Sequence, residues 1–75
     1  MASLELAKVE ERPGGQLLFN VRMTATAAKI ELPILVMDQG SIALNERTVL
    51  QSALGFAEEL EGSIRFRLEV EQQDL

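Results

Sequence analysis

The chain has no cysteine, histidine, tryptophan or tyrosine. Without cysteine, it can form neither a disulfide framework nor a thiolate metal site. Without histidine as well, the usual base and nucleophile pairs of covalent catalysis are missing. A Ser–Lys pair such as Ser3 with Lys8 is the remaining candidate, and no specific motif supports it. The stretch 38–41 holds one carboxylate, too few for a calcium loop. We therefore expect no catalysis, no metal and no cofactor.

Positive charge is also scarce, since seven Lys and Arg stand against twelve Asp and Glu, for a formal net charge of -5. This balance argues against direct binding of nucleic acid or an anionic membrane, which needs positive charge. No apolar run approaches the roughly 20 residues of a membrane span. The start of the sequence has neither the cationic residues nor the apolar run of a secretory signal. A cytoplasmic location is expected.

Aliphatic side chains are abundant for so short a chain. Hydrophobic residues make up 47% of the 75 residues, and three phenylalanines are the only aromatics. Residues 1–75 should form a single domain near the lower size limit for a self-sufficient core, with 72–75 as a frayed tail. So much apolar content on a small domain suggests that part of it is buried against a second molecule.

One amphipathic helix, predicted over residues 45–62, organises the rest of the chain. Asn45 has the short polar side chain of an N-cap, Glu46 would lie in the first turn, and Gly62 suits a left-handed C-terminal position. Three- and four-residue spacing of the apolar residues predicts a single stripe. The stripe contains Val49, Leu50, Ala53, Leu54, Ala57 and Leu60, with Phe56 beside it. It should pack on a sheet.

The remaining residues alternate as strands do. Strands are expected over 3–11, 16–26, 29–38 and 63–71, with a short strand at 42–44 as an option and a hairpin turn at 12–15. The alternation slips between Leu6 and Val9, which predicts a bulge or a short strand. The fold class is α+β: a small antiparallel sheet of three to five strands with one amphipathic helix on one face, in the order β-β-β-(β)-α-β. Its outward face would carry Arg22, Arg65 and Arg67 in cross-strand charge pairs.

A candidate docking edge lies in the third predicted strand. This strand is apolar on both faces, yet Pro33 lacks an N–H and belongs at a sheet edge or a bulge. An apolar edge strand tends to pair with another molecule unless something covers it. The candidate residues are Ile34, Leu35, Val36 and Met37. The alternative is that the chain's own termini cover Leu35 and Met37.

The predicted helix opposes local rules at a second candidate site. Gly55 lies on its polar side, and Glu58, Glu59 and Glu61 crowd its predicted C-terminal turns, where cations are favoured. Such conflicts are enriched at functional sites. With Thr48 and Ser52, these residues could form a shallow groove and an acidic patch that meets a partner. The alternative is a tolerated glycine and a solubilising charge cluster.

Three classes of function remain at this point. The favoured one is a non-catalytic protein–protein interaction module, a homodimer or a subunit of a larger assembly. The second is a small acidic inhibitor or antitoxin-like protein, for instance phage-encoded, that blocks a basic nucleic-acid-binding site on a larger partner. The third, an enzyme or small-ligand binder, needs an apolar pocket with convergent polar groups, for which the chain has little room outside a dimer.

Overall fold

Three antiparallel strands and one long helix make up the fold in a computed structural model that describes residues 2–73, with side chains through 71. The elements are β1 (Ser3–Arg12), β2 (Gln16–Thr24), β3 (Lys29–Met37) and α1 (Ile42–Gln73). Strand β2 lies between β1 and β3, so β3 is an edge strand. The predicted α+β class with an antiparallel sheet is confirmed.

Two glycines close the hairpin between β1 and β2. Gly14 and Gly15 have φ of 86° and 80°, which a side chain with a Cβ rarely adopts. The turn brings Arg12 opposite Gln16, and the antiparallel pairing continues from there to Ser3 opposite Thr24. The predicted hairpin is confirmed. The register also shifts between Lys8 and Glu10, where the slipped alternation predicted a bulge.

The inner face of the sheet follows the predicted alternation. Leu17, Phe19 and Val21 of β2 are buried, as are Ile34 and Val36 of β3. Pro33 lies on edge strand β3, where its missing N–H removes no hydrogen bond from the centre of the sheet. The inner face is therefore buried most completely on the central strand and on the half of β3 that precedes α1.

Helix α1 contacts the inner face of the sheet through a short part of its length. Val49 is fully buried in the core, and Ala53 is half-buried against it. Most other positions of the predicted stripe are exposed: Leu50, Leu54, Phe56 and Leu60 are between 42% and 60% accessible. The helix thus covers one end of the sheet and leaves the rest of its apolar stripe open.

The predicted start of the helix was wrong by one turn. The helix begins at Ile42, so Ser41 is the N-cap: its Oγ accepts a hydrogen bond from the Leu44 N–H at 3.2 Å. Asn45 lies inside the helix, and the optional strand at 42–44 is its first turn. Serine and asparagine are equally good caps. The apolar periodicity of the helix is clear only from Val49 onward, so it did not show whether Ser41 or Asn45 is the N-cap.

The predicted end of the helix was also wrong, and so was the last strand. Residues 63–71 continue α1, which includes 72 and 73 of the predicted tail; 74 and 75 lie outside the described residues. Gly62 is therefore a helix-interior residue. The alternation after it contains four-residue spacing as well, in Ile64 and Leu68. The ion pairs Glu61–Arg65 and Arg67–Glu71 share that spacing, which suits a helix.

Because the helix is longer than predicted, two groups of charged residues lie in other places than expected. Glu58, Glu59 and Glu61 lie mid-helix and not in its C-terminal turns, so the predicted conflict with the helix dipole does not arise. Arg65 and Arg67 lie on α1 and not on the sheet. Only Arg22 is on the outward sheet face as predicted, where its Nε lies 3.1 Å from Glu31 Oε1 across the strands.

The helix is longer than the sheet that it covers. Its 32 residues extend for about 48 Å, against about 30 Å for the nine residues of β3. The overall dimensions of 52 × 26 × 17 Å agree with one long helix on a short sheet. Part of α1 therefore extends past the end of the sheet.

Replacing the two helix-interior glycines should stabilise the protein. A Cβ at Gly55 or Gly62 would meet nothing within 4 Å. We expect Gly55→Ala and Gly62→Ala each to raise the free energy of unfolding by about 0.5–1 kcal/mol, because alanine loses less backbone entropy in a helix. Urea unfolding followed by circular dichroism at fixed protein concentration measures this. Gly40→Ala is the matched control: with φ of 90° at that position it should destabilise. Destabilisation by both helix variants would contradict the continuous helix.

Candidate functional site

An apolar groove of about 710 Å³ separates the later turns of α1 from the sheet. Its floor is the end of the sheet farthest from the start of the helix, where Leu4, Met23 and Ile30 lie side by side on the three strands. Its wall is the exposed stripe of α1. The main wall residues are Leu50, Leu54, Ala57, Leu60, Ile64 and Leu68. We call this the apolar groove.

The apolar groove is open to water along its length. Leu4 is 51% and Ile30 39% accessible on the sheet side, and Leu54, Ile64 and Leu68 are between 50% and 60% accessible on the helix. Soluble monomers rarely expose contiguous apolar patches of more than a few hundred Å². A groove in which both walls are apolar and exposed is typical of an interaction surface.

The charged residues at the groove are engaged with each other. Glu61 and Arg65 are its two charged lining residues, and Arg65 donates to Glu61 Oε1 from Nε at 3.1 Å and from Nη2 at 3.0 Å. They lie one helical turn apart at the rim of the apolar stripe. The groove therefore offers a large apolar contact with one ion pair at its edge.

The predicted docking edge 34–37 is divided between the two faces of the sheet. Ile34 and Val36 are buried in the core beneath α1, so their side chains are occupied within the chain. Leu35 and Met37 lie on the outer face and are 44% and 52% accessible. Met1, Asp74 and Leu75 lie outside the described residues, so the alternative in which the termini cover these side chains stays a prediction. Leu35 and Met37 form a second, smaller apolar area.

The other predicted site residues do not form one surface. Gly55, Glu58, Glu59 and Glu61 are all exposed on α1. At about 100° per residue, Glu59 and Glu61 point in directions about 160° apart, and Glu58 points between them, away from the sheet. Only Glu61 borders the apolar groove.

A polar hollow of about 230 Å³ lies at the opposite end of the sheet, beside the loop that leads into α1. Asn45, which is only 8% exposed, holds this loop: its Oδ1 accepts from the Gln39 N–H at 2.6 Å and its Nδ2 donates to Asp38 Oδ1 at 3.2 Å. The Gly40 N–H donates to the same Asp38 oxygen at 2.9 Å. The Asp38 N–H donates to the Gly15 carbonyl, which joins the loop to the first hairpin.

These hydrogen bonds favour the ionised form of the Asp38 carboxyl. The Gly40 N–H, and after it the Asn45 amide, hold the pKa of the Asp38 carboxyl below its ordinary value of 3.8. On the other side of the hollow, Lys8 Nζ lies 2.7 Å from Glu11 Oε1. The hydrogen bond and charge of Glu11 raise the pKa of the Lys8 amine. Lys8 therefore stays protonated at neutral pH and is a poor base.

The structure separates the Ser3–Lys8 pair. Ser3 pairs with Thr24 at one end of β1, whereas Lys8 pairs with Phe19 five residues along the strand, about 16 Å away. A hydrogen bond between the two side chains is therefore excluded. Among the described residues no group of three or more acidic side chains is arranged to hold a metal ion.

Sequence reasoning missed the floor of the apolar groove. Strand alternation places Leu4, Met23 and Ile30 on the inward face of the sheet, but it does not show whether that face is covered. The strand pairing places all three at the same rung of the sheet, but burial there depends on where the helix crosses. The separation between β3 and the later turns of α1 depends on the tertiary structure, and strand periodicity does not predict it.

Comparison of the chain with protein-family models, with curated proteins and with solved structures found no match. Within residues 2–73, no helix is both long and apolar enough to cross a membrane. Any assignment of function must therefore be argued from the surfaces just described.

Acid should weaken the loop that Asp38 organises. Because the pKa of Asp38 is lowered in the folded state, its stabilising effect is present above about pH 4 and is lost as pH falls through the folded-state pKa. Asp38→Asn removes this ionisation. The melting temperature of the wild type should exceed that of D38N at pH 6, and the gap should narrow below pH 4. Glu58→Gln, which removes an exposed helix carboxylate, is the control. A gap that stays constant with pH would contradict the assigned role.

Proposed function

We propose that this domain is a non-catalytic protein–protein interaction module that associates with a second copy of itself through the apolar groove. The observation that carries the proposal is the exposure of both walls of the groove. Large apolar side chains on the sheet and on consecutive turns of α1 face the same open space. These side chains are already about half covered, so covering the rest of each one stabilises a complex by about 1 kcal/mol.

The small core supports the same proposal. Six large or medium apolar side chains are buried among the described residues, whereas fifteen large ones are exposed. A domain of this size has little burial to offset its conformational entropy. Association through the groove would add apolar burial at the end of the sheet that the helix leaves open. The cytoplasmic location expected from the sequence stays a prediction.

The groove does not favour an enzyme or a small-ligand site. Its volume lies within the range of ligand pockets, but such pockets place a few convergent polar groups among apolar ones. Here the charged lining residues, Glu61 and Arg65, point to each other. The remaining walls are aliphatic or aromatic, so the groove offers area for contact and little for chemistry.

Two paired variants test which surface mediates association. Leu54→Gln with Ile64→Gln places polar groups in the apolar groove, whereas Leu35→Gln with Met37→Gln does so on the outer sheet face. We expect light scattering of the wild type to give a molar mass twice that of one chain. The groove variant should weaken association by roughly a hundredfold or more, because it removes two buried apolar side chains per chain.

The outer-face variant is the matched control, because its residues are similarly exposed in the single chain. It should associate like the wild type, because Leu35 and Met37 do not line the apolar groove. Circular dichroism checks that both variants keep the fold. If instead the outer-face variant dissociates, association runs through the docking edge predicted from the sequence. A wild-type monomer at all concentrations would overturn self-association altogether.

The alternative proposal is the acidic inhibitor or antitoxin-like protein. Glu58 and Glu59 are exposed and carry charge for a basic partner, but they point about 100° apart and Glu61 is held by Arg65. The carboxylates therefore form a weaker match to a row of phosphates than one continuous acidic face would.

Salt distinguishes an apolar contact between the copies from a charged one. A contact carried by the apolar groove should weaken by less than about tenfold between about 50 mM and 500 mM salt, since only rim charges are screened. Sedimentation equilibrium of the purified protein at the two salt concentrations measures this. A loss of several orders of magnitude would indicate that charge, and not the apolar groove, dominates association.

A further inference from the structure

We infer that the second copy lies antiparallel to the first, with the two α1 helices crossing near residue 62 in a two-fold symmetric pair. This arrangement deepens the proposed self-association and rests on it. It makes each apolar groove incomplete in the single chain, because the later turns of the other copy's α1 would form its missing wall.

The first support is the match between what each copy lacks and what it exposes. At the far end of the sheet, Leu4 and Ile30 are exposed because α1 does not pack on them. Across the groove, Ile64 and Leu68 continue the apolar stripe and are exposed as well. A second copy that runs in the opposite direction places its own residues 64–68 against the groove of the first. The same contact repeats by symmetry, as a closed two-fold interface requires.

The second support is the order of charges around residue 62 of α1. Acidic residues 58, 59 and 61 precede it, and basic residues 65 and 67 follow it. Antiparallel helices that cross near residue 62 bring Arg65 of each copy next to Glu61 of the other. A parallel pair would instead place like charges together. Both residues flank the apolar stripe, as the charged positions of a coiled coil flank its core.

A charge-reversal pair tests this arrangement. Glu61→Arg leaves four cations at the crossing, two from each copy, and Arg65→Glu leaves four anions. Each variant alone should therefore associate about tenfold more weakly than the wild type. Mixed in equal amounts, they should recover wild-type affinity as a heterodimer. Both variants lack the ion pair within their own helix, so recovery on mixing can come only from contacts between the two chains.

The absence of cysteine allows a direct test of orientation. Ser52→Cys and Ser63→Cys each introduce a single thiol for a nitroxide label on the same side of α1. In the antiparallel pair, two labels at 63 lie close to the crossing. Labels at 52 should be farther apart by roughly 15 Å or more. Pulsed electron–electron double resonance spectroscopy on the labelled dimers measures both distances.

The outcomes separate the two levels of the proposal. Recovery on mixing together with the longer distance at 52 supports the antiparallel pair. A wild-type dimer with equal distances at 52 and 63, or with no recovery on mixing, overturns the antiparallel arrangement and leaves self-association standing. A wild-type monomer at every concentration overturns both.

Discussion

The burial of Val49 against the inner face of the sheet is the contact on which the rest of the structure depends. Among the side chains of α1 that the structure describes, it is the only large one that is fully buried, and it lies over the half of the sheet nearest the start of the helix. The hydrogen bonds of Asn45 and Asp38 fix the entering loop one turn earlier. From this anchored end the helix continues past the sheet, and the apolar groove follows from the difference in their lengths.

Local patterns predicted the sheet well because each strand carries its own evidence. Phe19, Val21 and Met23 alternate with polar residues, and the glycines at 14 and 15 allow a turn that few other residues tolerate. Pro33 marked β3 as an edge strand for a reason contained in one residue, its missing N–H. Such features need no knowledge of the tertiary structure, and the sheet agrees with them.

The helix was predicted less well because two periods coincide after Gly62. Alternate apolar residues favour a strand, but Ile64 and Leu68 also satisfy helical spacing, and Glu61 and Arg65 add an ion pair that only a helix brings together. A strand there would have needed a neighbour in the sheet. Gly62 suited the C-terminal end of a helix. Inside a helix, however, a glycine lowers stability by only about 1 kcal/mol relative to alanine, which neighbouring turns can offset.

The same physics links folding and association in this chain. A helical segment of about ten residues without tertiary contacts is marginal in water, and the turns of α1 beyond the sheet have few such contacts among the described residues. Val21 lines both the core and the apolar groove, so a molecule that fills the groove also covers the edge of the core. Binding of a second copy would therefore stabilise the far turns of α1 and the exposed end of the sheet together. In such a protein the concentration of the chain becomes one of the variables that set its stability.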